Sequence, residues 1–269
     1  MIKLIASDMD GTLLNDRKEL PGDFLEVFEE LERRGIKFTV ASGRSFDAVA
    51  HLFPEEYRTR LDFICDNGAN VIHEGKQVSV TPLDRGTFEQ LIRACEEIGG
   101  LRVLVCAGKG TYHLTADEEF SAEIAKYYKN HIPCDDLLSV DDVIYKLAVC
   151  DMKGTQQHAK PAIDAIFGDR LNVQVSGPIW MDVMGAGVSK GSALKALGKH
   201  LGIAPEDTMA FGDFYNDADM LKYAGWSFAM ENGHPDIKRM TRFLARSNNE
   251  NGVLRAIRQY ALQEETSNA

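Results

Sequence analysis

Ile2-Lys3-Leu4-Ile5-Ala6-Ser7-Asp8-Met9-Asp10-Gly11-Thr12 sets a short apolar run directly before two carboxylates and a glycine. Ile2 to Ala6 reads as a buried strand. Asp8 and Asp10 follow it two residues apart, and on extended backbone such positions point to the same side. Two like charges that close are costly unless a cation or a proton compensates them. Magnesium takes hard oxygen ligands and keeps several waters, so one or two protein carboxylates suffice to hold it. Gly11 lets the chain turn sharply after the pair. Such a pair alone also suits an ordinary acidic turn, and the flanking sequence decides between the two.

Outward from this stretch, Phe24, Val27, Phe28 and Leu31 fall on one helical face, and Gly35 ends that helix. Lys37 to Ala41 reads as a second strand, followed by Ser42-Gly43-Arg44 and a short helix, and Phe63 to Cys65 as a third strand. Alternating strands and helices imply an open, mostly parallel sheet. The pattern changes after Thr81-Pro82. Phe88, Leu91, Ile92 and Cys95 make a helix, and Gly108-Lys109-Gly110 joins two runs as a hairpin. Tyr145 to Cys150 reads as a strand, Pro161 to Phe167 as a helix, and Leu171 to Val175 and Ile179 to Met184 as two further strands. The first pattern then resumes. A helix starts at Lys190 with Leu194, Leu197 and Leu201 on one face, Thr208 to Phe211 and Trp226 to Met230 are strands, and a helix opens near Pro235. The expected organisation is an α/β core of residues 1–82 and 187–269, with a smaller α+β unit, 83–186, inserted into it.

The 269 residues carry a net charge of −11, with 44% hydrophobic and 26% charged residues, as in an ordinary globular protein. The acidic balance argues against nucleic acid or an acidic membrane surface as partner, since both require basic patches. Five cysteines without a CxxC pair point away from a zinc site or a disulfide framework and towards reduced thiols in the cytoplasm. The N-terminus lacks the pattern of a signal peptide, and no apolar run has the length of a membrane span. The polar tail from Gln263 to Ala269 is expected to fray.

Polar groups gather just after the expected strands: Asp8 and Asp10, then Ser42, then Asp213 and Asp217. Open α/β sheets bind ligands outside the carboxyl ends of their strands, so these residues can converge on one crevice. Lys190 opens a helix, where free N–H groups and the helix dipole favour an anion. In order, Asp8-x-Asp10-Gly-Thr, Ser42-Gly-Arg44, Lys190-Gly191 and Gly212-Asp213-x-x-Asn216-Asp217 resemble the motifs of the haloacid dehalogenase superfamily of phosphatases. The resemblance covers the whole chain. Asp66-Asn67-Gly68-Ala69 and Asn248-Asn249-Glu250-Asn251-Gly252-Val253 are similar to its Cof-type, or class IIB, branch.

The resemblance implies a Rossmann-like core with a substrate-selecting cap, and a magnesium-dependent phosphatase acting on small phosphomonoesters, sugar phosphates foremost. Asp8 would be the nucleophile that becomes a phospho-aspartate, and Asp10 the general acid and base. The magnesium ligands would be the Asp8 and Asp213 carboxylates and the Asp10 backbone carbonyl, with Asp217 orienting a metal-bound water or Lys190 from behind them. Ser42, Lys190 and the amides of Met9, Gly43 and Asn216 would hold the phosphoryl oxygens, and Arg44 and Asn67 are candidate substrate contacts. Phe214 and Tyr215 depart from the usual small or polar residues and either narrow the entrance or pack. A monomer is expected, with a homodimer as the alternative. The rival functions are a phosphotransferase or mutase using the same intermediate, and a non-catalytic sensor of a phosphorylated ligand.

Overall fold

A computed structural model describes residues 1–114 and 130–263, with Phe120, Ser121, Ile124 and Tyr128 between them. Most of the tail expected to fray, 264–269, lies outside the described residues. The chain runs through β1 (Leu4–Asp8), β2 (Lys37–Ala41), β3 (Asp62–Cys65), β4 (Asn70–His73) and β5 (Lys76–Val80). Next come β6 (Leu101–Ala107), β7 (Gly110–Leu114), β8 (His131–Cys134), β9 (Ile144–Asp151), β10 (Leu171–Val175) and β11 (Trp180–Gly185). It closes with β12 (Thr208–Gly212), β13 (Trp226–Met230) and β14 (Phe243–Ala245). Contacts divide it into two compact units. One holds Met1–Gly43, His51–Ser79 and Ser189–Ala269; the other holds Arg44–Ala50 and Val80–Val188.

In the first unit the strands form one sheet, ordered β14-β13-β12-β1-β2-β3-β4-β5. Pairing is parallel from β14 through β3, and β3 and β4 are antiparallel. All five residues of β1 are buried, as a central strand covered on both faces requires. On one face, Phe24 and Phe28 of helix Phe24–Arg33 meet Phe38, Phe53 and Tyr57 at ring distances of 5.3–5.9 Å. On the other, Ala193, Leu194 and Leu197 of helix Lys190–Leu201 pack with Leu4, Ala6, Ala41, Ile64 and Ala210. Gly35, at φ +70°, takes up the left-handed turn after the first helix.

The second unit has its own sheet, ordered β10-β11-β9-β6-β7-β8. Its pairs are antiparallel except β7 with β8. Helices Arg85–Ile98 and Ala159–Phe167 bring Phe88, Leu91, Ile92, Ile163 and Phe167 onto Val105, Leu147, Val149, Met181 and Val183 of one face. On the sheet, Lys146 and Asp182 form a buried ion pair at 2.8 Å.

Candidate active site

Strand register brings the site together. Asp8 is level with Ala41, and Ser7 with Phe211, in the parallel ladders on either side of β1. Ser42 therefore leaves β2, and Gly212-Asp213 leave β12, at the level where Asp8 ends β1. The strand order reverses across β1, which opens a crevice at this carboxyl edge.

Lys190 reaches this edge from its helix, whose start is fixed by Ser189. The Ser189 side chain accepts from the Ser192 amide, and the Ser192 hydroxyl accepts from the Ser189 amide. Lys190 is completely buried. Its Nζ donates to Asp8 Oδ1 at 2.6 Å and to Asp217 Oδ1 at 2.7 Å. Burial pulls its pKa down, but the Asp217 and Asp8 carboxylates outweigh that and hold it above the ordinary lysine value.

Asp8 is 6% exposed. Burial pushes its carboxyl well above the usual range; Lys190 opposes this, and Asp217 and Asp213 reinforce it. One Asp8 oxygen is held by Lys190, and the buried Oδ2 has no hydrogen-bond partner.

Asp217 is occupied on both oxygens. Besides Lys190, it accepts from the amides of Asp213 at 3.0 Å and Phe214 at 3.2 Å through Oδ2. Asp213 has a freer carboxylate, touched by Thr12 Oγ1 at 3.2 Å. Burial, then the Asp217 charge, pushes its pKa up to about 6. Gly11 makes room for it. At φ +82°, a Cβ there would stand 2.6 Å from Asp213 Oδ2.

Oxygens of Asp8, Asp213 and Asp217 lie within 4.8 Å of one another. A divalent cation fits this set. The donors are hard carboxylate oxygens, and their mutual repulsion, which adds to burial in raising the pKa values of Asp8 and Asp213, is what a cation relieves. Asp8 and Asp213 would hold it directly, with Asp217 spent on Lys190 and the loop amides.

The expectation that Asp8 and Asp10 point the same way rested on extended backbone. The strand ends at Asp8, and turn hydrogen bonds begin at once, from the amides of Thr12 and Leu14 to the Met9 carbonyl. The Asp10 carboxylate meets Lys18 Nζ at 2.8 Å instead of joining the acidic cluster. Ser42 is buried; its amide donates to Ile64 O and its carbonyl accepts from the Asn67 amide. Asn67, at φ +53°, accepts from Asn216 Nδ2 at 3.3 Å, and its amide group would lie 3.1 Å from a Cβ on Gly43. Ser42, Gly43, Asn67 and Asn216 thus form one connected wall. Arg44 groups with the second unit. Phe214 and Tyr215 are exposed, and the Tyr215 hydroxyl donates to Asp236 at 2.6 Å.

A haloacid dehalogenase-like hydrolase family model matches residues 5–257. The chain belongs to that family. Over 95% of both chains it is 30% identical to the 5-amino-6-(5-phospho-D-ribitylamino)uracil phosphatase YbjI of Escherichia coli (strain K12). The solved structure of SMU.1108c from Streptococcus mutans UA159 superposes with a TM-score of 0.89 at 28% identity, covering 97% of this chain and 100% of that one. A haloacid dehalogenase subclass IIB sugar phosphatase shares the fold at a TM-score of 0.82 and 20% identity, over 97% and 99% of the two chains. The chain is a member of the haloacid dehalogenase-like hydrolase family and a phosphoric monoester hydrolase. Among the described residues, no helix is long and apolar enough to cross a membrane.

Several residues that shape the site carried no role in the sequence reading. Thr12 lies inside a quoted motif, but its contact with Asp213 spans 201 positions. Lys18 looks like any exposed lysine until the turn brings it back to Asp10. A Cβ on Gly212 would sit 2.4 Å from Asp217 Cβ, so that glycine admits the aspartate.

Proposed function

We propose that the protein hydrolyses small phosphomonoesters with magnesium, through a phospho-aspartate on Asp8. The observation that carries this reading is the asymmetry of the Asp8 carboxylate: one oxygen is gripped by Lys190, and the other is buried without a partner at the crevice. A carboxylate held by one oxygen presents the other in a defined direction, as in-line attack on phosphorus requires. Asp8 Oδ2 forms the new O–P bond while the bond to the leaving oxygen breaks, and Asp10 gives that oxygen a proton. In the second step Asp10 takes a proton from water, whose oxygen attacks phosphorus and releases Asp8.

Asp8 and Asp213, with the Asp10 carbonyl, would hold magnesium, which when bound would supply positive charge that lets an anionic nucleophile approach an anionic phosphate. Lys190 adds a fixed cation, and Ser42 with the amides of Met9, Gly43 and Asn216 supplies donors for the phosphoryl oxygens. The substrate class we favour is phosphorylated sugars and sugar alcohols. The E. coli relative, named for a phosphorylated ribityl compound, supports that choice. Arg44 and Asn67 would contact the leaving group. The protein would act as a cytoplasmic monomer.

The test is phosphate release from a panel of phosphorylated sugars, polyols, nucleotides and cofactors, with and without magnesium, for the parent and Asp8→Asn. Magnesium-dependent release by the parent alone is expected. Release that survives Asp8→Asn would remove the covalent step.

A further inference from the structure

We propose that Lys18 is a positioning residue for Asp10, held in place by a strap of asparagines from the far end of the chain. The inference rests on the reading of Asp10 as proton donor to the leaving group. Asp10 lies beyond the end of β1, in a turn, and its side chain is 37% exposed. A carboxylate in such a place samples several rotamers unless something fixes it. Lys18 Nζ stands 2.8 Å from Asp10 Oδ1.

The segment carrying Lys18 is built. Asn15 Oδ1 accepts from the amides of Arg17 at 2.9 Å and Glu19 at 3.1 Å, and Asn15 exchanges backbone hydrogen bonds with Glu19 and Lys18. Lys18 itself sits at φ +63°, a left-handed conformation that a lysine seldom adopts. That geometry turns the chain back towards Asp10.

The strap comes from residues 232–249. Asn248 Nδ2 is buried and donates to Leu14 O and to Asp16 Oδ1, both at 3.0 Å. Asn249 donates to Asp16 Oδ2 at 2.9 Å and accepts from the Asp16 amide at 3.1 Å. Asn232 accepts from the Asn248 amide at 3.0 Å and donates to Gly11 O at 2.7 Å, next to Asp10. Asn248-Asn249 thus does mechanical work on the catalytic loop. It holds Leu14 and Asp16, and Asn232 holds Gly11, within the turn whose two side chains, Asp10 and Lys18, meet. For stability alone the ion pair matters little, since exposed pairs gain little over their hydrated, separate charges. Its consequence lies in where it holds the proton donor.

The test compares kcat/KM on an alkyl phosphate from the active panel with kcat/KM on p-nitrophenyl phosphate. The alkoxide needs a proton to leave; p-nitrophenolate does not. Lys18→Ala and Lys18→Gly are both made, because glycine adopts φ +63° without strain and keeps the turn intact. Both are expected to lose on the order of 10-fold on the alkyl phosphate, a fraction of what a general acid supplies, and to stay within about 2-fold on the aryl phosphate. Lys18→Arg restores most of the loss. Full alkyl activity in both variants, or an equal loss on the two substrates, overturns the assignment. Asp10→Asn separates the two layers. If it loses equally on both substrates, the proton-donor reading fails; if it discriminates and the Lys18 variants do not, only the role of Lys18 fails.

Discussion

Lys190→Met removes the cation that bridges Asp8 and Asp217 and leaves their carboxylates facing each other. Lys190 is 0% exposed and bonded to Asp8 at 2.6 Å and Asp217 at 2.7 Å. Methionine fills nearly the same volume, so the change is electrostatic. Removing one partner of a buried pair costs about 3–5 kcal/mol, because the remaining charge is desolvated and unpaired. At about 2–4 °C per kcal/mol for a protein of this size, the unfolding midpoint should drop by roughly 6–20 °C. The chain has two tryptophans, Trp226 in the first unit and Trp180 in the second. In a Trp180→Phe background, Trp226 fluorescence therefore reports the unit that holds the site. The orphaned carboxylates bind protons, so the loss should be smaller at pH 5 than at pH 8. Placed in a chain that already carries Asp8→Asn and Asp217→Asn, Lys190→Met should cost far less. A midpoint unchanged in metal-free protein, or an identical drop in the neutralised background, would refute the view that charge compensation holds this cluster together.

Three further outcomes are expected. Gly11→Ala strains a residue at φ +82° by about 1–2 kcal/mol and pushes a methyl against Asp213 Oδ2. Magnesium titration of phosphate release should show weaker metal binding and up to about 100-fold lower activity. Asp213, raised to about 6 from an ordinary 3.8, binds its proton more tightly folded than unfolded. Metal-free stability from this group therefore falls as pH rises from about 4 to 6, and Asp213→Asn should flatten that slope in a thermal-unfolding series. Magnesium competes with the same proton, so calorimetric affinity should climb with pH through about 6. Asp8→Asn removes a buried carboxylate whose pKa is raised well above normal, so the metal-free variant should be more stable than the parent at pH 7.5 while losing its activity.

The parallel core was legible because its strands are apolar runs joined to amphipathic helices, and β1, β2, β12 and β13 follow that pattern. The elements that escaped are those whose residues obey other constraints. Strand β5, Lys76–Val80, is an exposed edge with no buried face to impose alternation. In β8 a proline interrupts the run, and β14 has only three residues. At the site, residues next to a strand end could be placed because register carries them to a common edge. Asp10 could not be oriented, since its direction depends on Lys18, and Lys18 depends on Asn248 and Asn249 at the other end of the sequence. Contacts of that span leave no periodic trace.

The position of β1 also sets a timetable. One neighbour, β2, ends at Ala41, whereas the other, β12, begins only at Thr208. A ribosome adding about 5–20 residues per second takes roughly 8–33 s to span that interval. Throughout it, one side of a strand that is fully buried in the finished fold has no partner, and an open strand edge is a template for aggregation. The inserted unit, with its own sheet and core, can fold while β1 waits. Biogenesis of this phosphatase should therefore be most sensitive to translation stalls between Ala41 and Thr208, well before its last catalytic aspartate has been made.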